Sequence, residues 1–245
     1  TDLEDGRVVQ AATFVESQAE WLQDLYERGV RYFEVHHEPN LSSGGWGTSW
    51  QSGDDFEVWY LDVLGLLRVR FPDARFGFPG CAPGDEIVGK REDLWRFLRQ
   101  CETAIEASDW VAVQCYWEDE AGLRSPDEGL LVAEYQRRWP HKLFFVTEFG
   151  NVSLAADSAT KGRQYVEYYR ELRNREGVGA AFCFVLSAAS GFENDVWRFH
   201  GGDLEDCSID VTGKLWATLD EFGAADTLGE FVSLQQLAQA TFQQY

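Results

Sequence analysis

Two glutamates stand where a chain can do chemistry. Glu38 closes the apolar run Arg31-Tyr32-Phe33-Glu34-Val35. His36 and His37 precede it, and Pro39-Asn40 follows. Glu148 closes a second apolar run, Leu143-Phe144-Phe145-Val146-Thr147, and is followed by Phe149-Gly150. A lone glutamate is ordinarily a solvated surface charge. Two of them, each at the end of a strand-like run and each followed by a chain-turning residue, suit the cleavage of a glycosidic bond. That reaction uses one protonated and one ionised carboxyl group, about 5 to 5.5 Å apart when configuration is retained. Their surroundings must push the two pKa values apart. Glu38 is the candidate acid/base and Glu148 the candidate nucleophile.

Other chemistries find less support. Consecutive residues of a strand point to opposite faces, so His36, His37 and Glu38 are not expected to share one ion, and His36 is expected to turn away and pack. No Cys-x-x-Cys pair is present, which argues against a structural zinc site. There is no Gly-x-Ser-x-Gly elbow and no Gly-rich phosphate loop after a strand. No metal and no organic cofactor is therefore expected. Trp46, Trp50, Trp117 and Trp197 fall in loops after strands. Their flat faces suit either sugar rings or loop anchoring, with Trp117 and Trp197 nearest to strand ends. Asn151 and His200 lie in similar places.

The elements that would carry these residues alternate. Helical spacing over 12–29, 52–71, 91–107, 125–139, 157–175 and 214–222 separates strand-like runs at 30–37, 74–78, 110–116, 143–147 and 178–186. Ser125-Pro126-Asp127-Glu128 reads as a capped helix start. Each crossover is long enough for a parallel βαβ unit. The fold class is α/β, a β/α barrel or a doubly wound sheet. In a barrel, catalytic residues sit at the C-terminal ends of the strands, where Glu38 and Glu148 stand. Residues 1–223 form the expected barrel domain. Residues 224–245, with Leu228, Phe231, Leu234 and Leu237, are expected to form an amphipathic helix or a linker.

The totals narrow the partners. The chain has 245 residues, a net charge of −21 and 44% hydrophobic residues. Such an acidic chain disfavours nucleic acid and anionic membranes, and no run is long enough to span a bilayer. A neutral carbohydrate is easily accepted. The five cysteines are widely spaced and read as small buried hydrophobes rather than a disulfide framework. The chain has no methionine, as expected of a processed or partial chain. It is expected to be soluble, with secretion or a cell-surface location left open.

Tyr32-Phe33-Glu34-Val35-His36-His37-Glu38-Pro39-Asn40 resembles the Asn-Glu-Pro motif that ends the fourth strand of clan A "4/7" retaining glycoside hydrolases, cellulase-like or family 39-like. Val146-Thr147-Glu148-Phe149-Gly150 resembles their seventh-strand nucleophile motif. Two strands intervene, as the resemblance requires. It implies a (β/α)8 TIM-barrel type, of which this chain shows the portion from the fourth strand to the eighth helix. It also implies a retaining double displacement on a neutral oligo- or polysaccharide. Val111–Trp117 is similar to the strand that carries a hydroxyl near the nucleophile, which makes Tyr116 a partner for Glu148. His37, Tyr116, Trp117, Trp46 and Trp197 are then the candidate substrate-binding residues. The chain departs from the pattern in two side chains: His37 replaces an Asn, and Gln114 replaces a His. It also lacks the first three strands, expected either from an N-terminal segment or from a second copy closing the barrel. The alternative is a catalytically impaired carbohydrate-binding or structural pseudo-glycosidase.

Overall fold

The structure, a computed structural model, describes residues 8–185. Trp197, His200, the expected helix at 214–222 and the segment 224–245 lie outside the described residues. The chain divides into two units. The first comprises Thr1–Ser153 and Tyr168–Phe184, the second Leu154–Glu167 and Val185–Tyr245.

The first unit holds a parallel sheet of β1 (Tyr32–Glu34), β2 (Arg75–Phe78), β3 (Trp110–Trp117), β4 (Phe144–Asn151) and β5 (Val178–Cys183). Their spatial order is their chain order, and every neighbouring pair is parallel. Each connection passes through helix: α2 (Gly53–Arg70), α3 (Leu94–Gln100) with α4 (Glu102–Ala107), α5 (Glu120–Leu123) with α6 (Leu131–Arg138), and α7 (Ser158–Arg173). A further helix, α1 (Ala11–Glu27), precedes β1. This is a partial (β/α) barrel, the architecture that the alternating pattern predicts. In the second unit, Asp157 accepts a hydrogen bond from the Thr160 amide through its side chain at 2.7 Å, an N-cap contact at the start of α7.

The core follows from the period of two along each strand. Phe33, Val35, Phe76, Phe78, Val111, Val113, Phe144, Val146 and Phe149 are buried. They meet helix residues ring to ring. Phe78 lies 5.5 Å from Tyr60 and 6.1 Å from Phe56, and Phe144 lies 6.3 Å from Tyr135. Helix α2 begins where its residues dictate. The Ser52 hydroxyl accepts the Asp55 amide at 3.1 Å, acidic Asp54 and Asp55 occupy the first turn, and Arg68 and Arg70 the last.

Several elements differ from the sequence reading. Strand β4 runs on to Asn151, so Glu148 lies within it rather than at its end. The first strand spans only Tyr32–Glu34, because the backbone is left-handed at His36 and Glu38, with φ of 78° and 45°. The helix expected over 91–107 breaks at Cys101 into α3 and α4. The capped start at Ser125 does not open a helix: the Ser125 hydroxyl accepts the Asp127 amide at 3.2 Å in a local turn, and α6 begins at Leu131. Ser and Asp favour such turns as readily as caps.

Candidate active site

The first site residue is placed by a bent backbone. After β1 the Glu38 amide donates to the Gly80 carbonyl at 2.9 Å, and the Glu38 carbonyl accepts the Leu41 amide at 2.9 Å. Gly44 packs against this turn so closely that a Cβ there would stand 2.0 Å from the Glu38 carbonyl oxygen. A left-handed residue directly before proline is strained, at a cost on the order of 1–3 kcal/mol. The strain has a structural result: His37 and Glu38, neighbours in sequence, present their side chains on the same side.

The second residue is placed by a bulge. Along β3 and β4 the partners run Val113 with Val146, then Gln114 with Glu148, so Thr147 is an extra residue. Bulges of this kind re-aim a side chain. Here the re-aimed group is Glu148, which faces Glu38.

The resulting geometry is compact. The His37 Nε2 lies 3.6 Å from Glu38 Oε2 and 3.6 Å from Glu148 Oε1. One ligand atom from each of the three residues lies within 4.8 Å of the other two. The Tyr116 hydroxyl donates to the other Glu148 oxygen, Oε2, at 2.5 Å. Glu38 and Glu148 are mostly shielded from solvent, whereas His37 is exposed. Burial pushes the Glu38 carboxyl above the ordinary range. His37 opposes the shift and the Glu148 charge adds to it. A carboxyl group whose pKa is raised, set beside a second carboxyl group, is the arrangement that acid-assisted displacement at an acetal carbon uses.

His36, His37 and Glu38 do not come together on one side, but alternation does not separate His37 from Glu38. Alternation holds for regular strand, and the left-handed backbone at His36 and Glu38 ends the strand first. His36 does turn away: its ring meets Trp50, Phe56 and Trp59 edge-on at 5.2, 5.7 and 5.7 Å. Burial lowers its pKa to about 4, so it packs as a neutral ring.

The tryptophans divide. Trp117 is buried, stacked on Phe149 and packed against Tyr168 at ring distances of 6.1 and 4.9 Å. Its faces are covered by protein, which corrects the expectation of a sugar-facing ring. Trp50 is likewise buried, and its indole N–H donates to the Pro39 carbonyl at 2.6 Å. That bond anchors the loop after Glu38. Trp46 is half-buried, edge-on to Phe97 at 6.0 Å. Asn151 is buried and donates to the Glu118 carbonyl at 3.2 Å.

One site residue escapes the sequence reading. Glu34 reads there as part of an apolar run. Its carboxylate accepts the Gly80 amide at 2.8 Å and stands among Gln114, Thr147 and Glu148. Burial is the largest influence on it, and raises its pKa to about 7. The available signal was the parity of β1. Glu34 shares a face with Tyr32, opposite to the core residues Phe33 and Val35. Gln114 lies beside Glu38 and is fully buried. Its approach falls short of a well-formed hydrogen bond, so both amide atoms lack a partner among the described residues.

Comparison with known proteins gives a likeness of fold. No protein-family model matches the chain, and no curated protein matches it. Among solved structures, it is similar to a GH128 endo-β-1,3-glucanase from Pseudomonas viridiflava, at 18% identity and a TM-score of 0.55, covering 83% of this chain and 77% of that one. It is also similar to a GH128 endo-β-1,3-glucanase from Sorangium cellulosum, at 15% identity and a TM-score of 0.58, covering 79% and 75%. A third is a GH128 oligosaccharide-binding protein from Cryptococcus neoformans, at 14% identity and a TM-score of 0.53, covering 85% and 79%. These structures belong to GH128, whereas the motifs point more loosely to cellulase-like and family 39-like members. Among the described residues, no helix is long and apolar enough to cross a membrane.

Proposed function

We propose that this chain is a glycoside hydrolase that cleaves β-1,3-linked glucose chains with retention of configuration. The observation that carries the reading is the approach of Glu38 and Glu148, with carboxylate oxygens within 4.8 Å. Oxygens that close suit the paired carboxyl groups of a retaining enzyme better than the roughly 6.5–9.5 Å group separation that an inverting enzyme needs for its water. Glu38, whose pKa is raised by burial and by the Glu148 charge against the opposing His37, donates its proton to the leaving glycosidic oxygen. Glu148 attacks the anomeric carbon through Oε1, because Tyr116 occupies Oε2. The Glu38 carboxylate then takes a proton from water, which attacks the glycosyl ester and releases the sugar. The substrate class is drawn from the glucanases of similar fold, and a neutral glucan suits the acidic chain.

A second reading is binding without hydrolysis. It is favoured by the oligosaccharide-binding protein of similar fold, and by His37, which stands between the two carboxylates. The two readings part on one experiment. Laminari-oligosaccharides are incubated with wild-type protein and with Glu148→Gln, and the anomer first released is read by NMR. Cleavage to the β-anomer by wild type, abolished in Glu148→Gln, supports the hydrolase. Binding without turnover by wild type replaces it with the second reading. Release of the α-anomer overturns the retaining mechanism.

A further inference from the structure

We propose that His37, Glu38 and Glu148 bind a divalent transition-metal ion of the Zn2+ type, and that the bound ion shuts the glycosidase site. The shutting rests on the hydrolase reading above; the binding does not.

Three features of the site carry the inference. The first is convergence. His37 Nε2 is equidistant, at 3.6 Å, from Glu38 Oε2 and Glu148 Oε1. Zinc bonds of about 2.0–2.2 Å set neighbouring ligands of a tetrahedral ion about 3.4 Å apart, so both edges already match. The Glu38–Glu148 edge, within 4.8 Å, would shorten as the ion binds.

The second feature is the chemistry of the donors. One imidazole and two carboxylates suit zinc and its neighbours. Magnesium and calcium prefer all-oxygen sets. Three protein ligands also leave a fourth position open for water. His37 is exposed, so an ion can reach the site from solvent.

The third feature is support behind the ligands. Tyr116 donates to Glu148 Oε2, which leaves Oε1 as the free donor on the His37 side. Beside Glu38 stands the buried Gln114 amide, both of whose polar atoms lack a partner among the described residues. A carboxylate turned onto an ion would present its second oxygen to that amide. Outer partners of this kind orient ligands and are worth about 10- to 100-fold in metal affinity.

An ion there ties up both reacting carboxylates at once. It denies Glu38 its proton and Glu148 its attack, so inhibition should be competitive with sugar.

The test uses the whole protein, freed of metal by a chelator. Zn2+ is titrated by calorimetry, and Co2+ is followed by its visible d–d bands. Wild type should bind one equivalent of Zn2+ and give the intense Co2+ spectrum of a four-coordinate site. His37→Ala and Glu148→Gln should each weaken binding at least tenfold and lose that spectrum, with circular dichroism confirming that they fold. His141→Asn removes an exposed imidazole beside Glu106, at 2.9 Å. It lies outside the site and should bind as wild type does. The proposal is overturned if wild type binds no ion, or if His37→Ala and Glu148→Gln bind as tightly as wild type. Where wild type also cleaves laminari-oligosaccharides, Zn2+ should raise KM without lowering kcat. An ion bound through His37 in a protein that cleaves nothing upholds the metal site while the hydrolase reading fails. Cleavage by a protein that binds no ion does the reverse.

Discussion

The Tyr116 hydroxyl donates to Glu148 Oε2 at 2.5 Å, and Glu148 Oε1 faces His37 at 3.6 Å. The two oxygens of this carboxylate thus have different partners, and in the proposed mechanism only Oε1 attacks. Tyr116 is a positioning residue on this view. Removing its hydroxyl frees the carboxylate to rotate, and small misplacements of a reacting group cost about 10²-fold. Tyr116→Phe is expected to lower kcat on laminari-oligosaccharides by about 10- to 100-fold and to leave KM within about threefold. Steady-state kinetics decide it. A Tyr116→Phe protein with unchanged kcat removes the positioning role.

Glu34 offers a pH dependence with a definite sign. Its pKa is raised by burial from 4.5 to about 7, so the folded chain holds this proton more tightly than the unfolded one. The proton's stabilising effect is fully present below pH 4.5 and is lost as pH rises through about 7. The upper limit of the loss is about 3 kcal/mol, reduced by the group's partial access to water. Glu34→Gln keeps the acceptor for the Gly80 amide and removes the titration. The variant is expected to gain stability over wild type at pH 8 and to lose that advantage at pH 4.5. Urea denaturation at the two pH values measures it. Equal differences at both pH values would rule out a raised Glu34 pKa.

Much of this arrangement was legible in the chain and some was not, for physical reasons. The alternation of strands and helices was visible because apolar spacing changes from a period of two to 3.6. Glu38 and Glu148 stood out because a charge at the end of an apolar run has few structural uses. Trp117 was misread although its parity was available. It is adjacent to Tyr116, so the strand turns it to the opposite face, with Val113 and Cys115, where the core lies. Glu34 was hidden differently. A polar residue inside a strand looks alike whether its face meets solvent or a site. The convergence of His37 with Glu38 depends on the left-handed backbone at Glu38. Non-glycine residues enter that region too rarely for any sequence pattern to announce it.

Two glycines make opposite predictions about stability. A Cβ on Gly77 in β2 would stand 2.3 Å from the Trp110 ring, and that ring is itself wedged 4.5 Å from Phe145. Gly77→Ala should therefore destabilise by about 1–3 kcal/mol, as overpacking does. Gly65 lies inside α2 with nothing within 4 Å of its added Cβ. Gly65→Ala should stabilise by about 0.5–1 kcal/mol, through helix propensity alone. Chemical denaturation of both variants checks the pair. A stabilised Gly77→Ala protein would contradict the packing of Trp110 on β2.

Asn40 reads in the sequence as one more polar group at the mouth of a site. In the fold it is fully buried and acts as a staple. Its Nδ2 donates to the Ala82 carbonyl at 2.9 Å and to the Glu92 carbonyl at 3.2 Å, and its Oδ1 accepts the Ala82 amide at 2.9 Å. The loop that carries Glu38 is thereby tied to the loop after β2. Asn40→Asp keeps the shape and the acceptor but turns both donors into acceptors facing carbonyls. An ionised carboxylate there is opposed by burial and by those two carbonyls, so the new group should titrate above the usual Asp value near 4. A raised acid pKa removes stability as pH rises. Asn40→Asp is thus expected to lose about 2–4 kcal/mol relative to wild type at pH 8. The loss should be clearly smaller at pH 4.5. Denaturation midpoints of the two proteins at both pH values give the comparison. An Asn40→Asp protein as stable as wild type at pH 8 would mean that the two loops are held together by something other than this side chain.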